Sequence, residues 1–177
     1  MLPVAHCYLL KKIGMLDKES ILYTIAPDVE FFATKNEEHK IDTDKISDPK
    51  LKKSIKIHLI LDENIHNDLE SLEGKLVRPG FRKSKAHNLI EAYYDVALLN
   101  ENKDLYKKLR QSLEEIEPGQ IKLIANELGF NENEVKRYYK FMNMYIASIA
   151  PFNYIKLPKH KDMNKVFEKS EQTYKQR

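Results

Sequence analysis

Hydrophobic positions along this chain recur at spacings of three and four, and alternation of period two is rare. That pattern predicts an all-α fold, since a helix repeats about every 3.6 residues while a strand repeats every second one. The clearest apolar set is Ile57, Leu59, Ile60, Leu61 and Ile65, inside one long segment. Asp48 as N-cap and Pro49 at the first helical position open that segment. The spacing carries it to about Leu72.

Punctuation by glycine and proline divides the rest. Val4 to Ile13 is a short helix closed by Gly14, and Asp17 caps a second helix that Pro27 stops after about Ala26. Residues 33–47 are polar and irregular. Gly74, Pro79 and Gly80 mark a basic loop, followed by a helix to about Leu99. Asn102 or Lys103 to Glu115 is amphipathic and ends before Pro118-Gly119. Gln120 to Leu128 and Asn131 to Ile149 form a helix pair split by Gly129-Phe130. The expected organisation is one α-helical domain over 1–150, ligand-bearing over 1–100. Residues 151–177 read as a strap, a partly disordered tail or a frayed helix.

Composition narrows the class. The 177 residues suffice for one sizeable core, and 30 basic against 27 acidic residues give a net charge of only +3, too mild to argue for nucleic acid. A lone cysteine, Cys7, excludes a disulfide framework and fits a reducing compartment. Without an apolar run near membrane length or a signal segment, the expected location is cytoplasmic, with no transmembrane segment.

The candidate chemistry lies on the long helix. His58, Asp62 and His66 stand at i, i+4 and i+8 and share one stripe, because each four-residue step turns the face by only about 40°. His87 and Glu91 repeat the i, i+4 pairing. Five of the six histidines (His6, His39, His58, His66 and His87) fall in the first half, with Asp28, Asp62 and Glu91 among them. Nitrogen and carboxylate donors without thiolate pairs suit Zn²⁺, and equally Mn²⁺ or Fe²⁺, rather than a structural zinc finger. At about three protein ligands per catalytic ion, these eight candidates accommodate two ions comfortably, and three with shared carboxylates or a terminus. An adjacent His-Asp pair, a second Glu-x-x-His and a His-Glu-x-x-His are all missing, which sets aside three other metalloprotein patterns.

The order of these residues resembles the zinc-dependent phospholipase C and S1/P1 nuclease superfamily. His6 precedes the Ala26-Pro27-Asp28 turn, then come His39, His58-x3-Asp62-x3-His66 and His87-x3-Glu91, covering about residues 1–100. The resemblance implies an α-helical bundle in which two or three zinc ions cleave phosphate esters. The secreted members bind metal through an N-terminal tryptophan, and this chain has no tryptophan. An intracellular relative is therefore implied.

Under that resemblance Asp28, following a helix-stopping proline, is the expected bridging ligand or catalytic base. Arg78, Arg82, Lys83 and Lys85 are placed to hold a substrate phosphate, and Asp95 to orient a ligand. The substrate class is a phosphorylated small molecule, a lipid headgroup or a nucleotide. Two further readings stay open: a non-catalytic metal-binding scaffold, and a regulator binding DNA through a helix-turn-helix at about 120–140. The acidic start Asn131-Glu132-Asn133-Glu134 weighs against the latter, since its carboxylates would meet phosphates.

Overall fold

The computed structural model describes residues 3–34, 41–76, 83–149 and 163–176, and of 66–76 and 83–90 the backbone alone. The described residues are all-α, as the spacing predicts, with no strand among them. In chain order the helices are α1 (Pro3–Lys12), α2 (Lys18–Ile25), α3 (Asp28–Thr34), α4 (Pro49–Leu76), α5 (Lys83–Glu101), α6 (Lys103–Glu114), α7 (Pro118–Leu128), α8 (Glu132–Ile149) and α9 (Met163–Gln176). A single 3₁₀ turn, Thr43–Lys45, precedes α4.

The start signals behave as their chemistry requires. Asp17 Oδ1 accepts the Ser20 amide at 3.0 Å, and Asp48 Oδ1 accepts the Leu51 amide at 2.7 Å. Each carboxylate thus satisfies an orphan donor of the first helical turn. Lys50 joins the two starts, bonding Asp17 at 2.9 Å and Glu19 at 2.6 Å. Further along, Thr24 Oγ1 donates to the Ser54 carbonyl at 3.1 Å. The two helices therefore run side by side in the same direction.

Helix α4 is the axis of the bundle, packing against α1, α2, α5 and α9. Leu51, Ile55, Ile57, Leu61 and Ile65 on it are fully buried. Each such side chain contributes about 1.5–3 kcal/mol relative to exposure, so this one helix organises much of the core.

Several elements differ from the sequence reading. Helix α4 runs through Gly74, bearing the roughly 1 kcal/mol cost of an interior glycine. Helix α5 starts at Lys83, which puts Lys83 and Lys85 on a helix instead of in a loop. Helix α3 begins at Asp28 itself, directly after the proline that ends α2. Residues 163–176, in the stretch read as strap, tail or frayed helix, form a helix seated on the core. Met163 and Phe167 are fully buried there, Phe167 packs edge-on to Tyr8 at 4.8 Å, and Asn64 Nδ2 donates to Ser170 Oγ at 3.1 Å.

Candidate metal centre

Two of the sequence-derived ligands come together with a third that lies 52 residues upstream of the nearer one. His6 on α1 and His58 and Asp62 on α4 bring one donor atom each to within 4.8 Å of one another, the one such group among the described residues. His6 and His58 are buried, and Asp62 is half-buried. The two imidazoles stack, with ring centroids 4.2 Å apart and planes 11° from parallel.

The orientation of His58 has a definite cause. Its Nδ1 lies 2.8 Å from the Thr24 carbonyl oxygen, which can only accept, so Nδ1 carries the proton and donates. In the neutral ring Nε2 then holds the lone pair and is the atom able to ligate.

The same bond completes the end of α2. The last four carbonyls of a helix have no partner within it, and Pro27 supplies no amide. Leu22 O accepts Tyr139 Oη at 2.7 Å, Tyr23 O accepts the Ala26 amide at 3.3 Å, and Ile25 O accepts Tyr138 Oη at 2.6 Å. With His58 on Thr24 O, all four carbonyls are satisfied. Burial, the larger cause, and the nearby Asp28 both push the Tyr138 phenol well above its ordinary range, keeping it a neutral donor. Sequence reasoning missed Thr24, Tyr138 and Tyr139. The one available signal was Pro27, which forces the helix end to seek donors elsewhere.

The trio fits a divalent cation in donor chemistry: two imidazoles and a carboxylate match three-ligand zinc sites. Ligand bonds of about 2.0–2.1 Å would put donor atoms near 3.4 Å apart, so binding asks for a contraction of up to about 1.4 Å and for the two stacked rings to turn toward a common ion.

The other sequence-derived ligands divide into two groups. Asp28 and Glu91 are buried but lie outside the trio. Asp28 sits in the first turn of α3, where its charge is felt by Tyr138 and Tyr139. Glu91 lies beside Asp95 and Tyr145. His66 continues the α4 stripe and His87 lies on α5 by backbone register, their side chains being outside the described residues, as are those of Lys83 and Lys85. His39, Arg78 and Arg82 lie wholly outside them.

Asp95 acts one step away from the trio. Its Oδ1 accepts the Val4 and Ala5 amides at 3.1 and 3.0 Å, and its Oδ2 accepts Tyr145 Oη at 3.2 Å. It therefore anchors the first turn of α1, the helix that carries His6, instead of bonding a ligand ring. Burial is the largest influence on it and pushes the carboxyl up to about 8, against the lowering pull of the Ala5 amide and Tyr145.

The predicted helix pair is formed by α7 and α8, joined through Gly129 at φ 73°. Ala125 and Val135 pack inward, while Lys136 and Arg137 are exposed and Lys136 pairs with Glu132 at 3.9 Å. Among the described residues no helix is long and apolar enough to cross a membrane. No family model, curated protein or solved structure matches this chain.

Proposed function

We propose that His6, His58 and Asp62 bind a divalent metal ion, zinc first among candidates, and that the protein is a metal-dependent phosphate-ester hydrolase of a reducing, cytoplasmic compartment. The observation that carries the metal reading is the Nδ1 bond from His58 to the Thr24 carbonyl, which presets the tautomer a ligand needs. A bound cation would supply Lewis-acid activation of water and of a phosphoryl oxygen. His6 and His58, held by burial and stacking, supply two imidazole donors. Asp62 brings the one negative charge and lies half-buried, at the edge where substrate and water have access. The hydrolase assignment rests further on the resemblance of the ordered ligand set over residues 1–100, within which Asp28 remains the proposed base or bridge.

A second reading, a metal-binding scaffold without turnover, is favoured by one feature: His58 also closes the α2 terminus, a structural task independent of catalysis. Elemental mass spectrometry of the full chain, purified without chelator, tests both, together with turnover of a bis-aryl phosphodiester. Bound zinc with turnover lost in Asp62→Asn supports the hydrolase. Stoichiometric metal without turnover leaves the scaffold. Absence of metal after reconstitution refutes both readings.

A further inference from the structure

The bundle carries a second place suited to a charged ligand, on the side formed by the end of α1 and the first turns of α6. Lys11, Lys107 and Lys108 line a groove of about 500 Å³ together with Leu16, Leu105 and Asp104. Asp104 is the sole acid among the described lining residues, so the groove holds a surplus of two positive charges. Lys107 and Lys108 have no ion-pair partner among the described residues, and Lys11 Nζ is held at 3.0 Å by the neutral Asn102 Oδ1. Like charges lining one groove repel each other, and an anion bound there lowers that cost.

The groove continues into a recess of about 230 Å³ that shares Leu16 and Lys108. Its character is different. Gln111 Nε2 donates to Glu115 at 2.9 Å and Ser112 Oγ to the Lys108 carbonyl at 2.8 Å, which leaves both side-chain oxygens as acceptors for a ligand's hydroxyls. Asp17 lines the same recess, and Lys18 is offset by Glu115 and Glu117 at 3.8 and 3.3 Å. One end thus suits a dianion and the other a neutral polar body. The volume of the main groove alone lies within the range of about 300–1,000 Å³ usual for small-molecule sites.

We infer that the α1–α6 groove binds the phosphate ester of a polyhydroxylated small molecule, with Lys11, Lys107 and Lys108 around the phosphate and Gln111 and Ser112 toward its hydroxyls. This site is independent of the metal trio.

Calorimetric titration of the full chain at low ionic strength tests it, with inorganic pyrophosphate and ribose 5-phosphate as soluble probes and phosphatidic acid vesicles as the lipid arm. Saturable binding of both soluble probes is expected, weakening about tenfold or more in Lys107→Gln/Lys108→Gln and falling as salt rises. Both substitutions are on the exposed face of α6, and matched thermal melts confirm that the variant folds. Asp62→Asn should leave the affinity unchanged whatever it does to metal content, which separates the groove from the proposed metal site. Unchanged affinity in the double lysine variant, loss in Asp62→Asn, or binding to vesicles alone would each overturn the inference.

Discussion

Replacing His58 by alanine probes both roles of that residue at once. The imidazole is fully buried, stacks on His6 at 4.2 Å and bonds the Thr24 carbonyl at 2.8 Å. Truncating a large buried side chain costs about 2–5 kcal/mol through lost contacts and the cavity left behind. A buried carbonyl stripped of its donor costs about 1–3 kcal/mol, overlapping in part with the first effect. A loss of roughly 3–5 kcal/mol is therefore expected, a large share of the 5–15 kcal/mol, or thereabouts, that holds a domain folded. Urea unfolding with and without zinc reads the rest. Wild type should gain about 2.7 kcal/mol when zinc is at a hundred times its dissociation constant, and the variant should gain nothing. A metal-free loss below about 1 kcal/mol would refute the packing argument. An undiminished zinc increment in the variant would refute the ligand role.

The α2 terminus offers a second test. Tyr138→Phe and Tyr139→Phe each remove the hydroxyl from a buried carbonyl and should cost about 1–3 kcal/mol in urea unfolding. The rings are 5.2 Å apart, so the double variant should depart from additivity; two neutral single variants would show that water or rearrangement serves those carbonyls equally well. Asp95 makes stability depend on pH. Its folded-state carboxyl is raised from 3.8 to about 8, so the folded chain holds the proton more tightly than the unfolded one. The associated stability is complete below about pH 4 and is lost as pH rises through about 8. Asp95→Asn should accordingly gain stability relative to wild type between pH 5 and pH 8, and a pH-independent difference between the two proteins would sink that assignment.

Local chemistry made much of the fold legible in the sequence. Asp17 and Asp48 cap α2 and α4 because a short carboxylate one residue ahead of a helix reaches its free amides whatever lies elsewhere. Gly129 closes α7 because a left-handed residue is cheapest as glycine. Helix lengths were less legible. Gly74 reads as a breaker, yet α4 continues past it, and Lys83 reads as loop while α5 has already begun.

At the candidate site, the sequence by itself determined that His58 and Asp62 share a face, since their separation is a helical repeat inside an apolar, capped segment. It could not determine which distant residue would join them. Bringing His6 onto His58 depends on how α1 seats against α4, and Asp95 and Tyr145 set that seat from 90 and 140 residues further along the chain. The partition of the candidate carboxylates was likewise a tertiary decision: Asp62 joins the histidines, while Asp28 falls beside the tyrosines and Glu91 beside Asp95. Helical periodicity is a short-range property that four residues suffice to express. The convergence of α1 and α4 depends on the shape of every apolar face packed around them, which only the packed chain specifies.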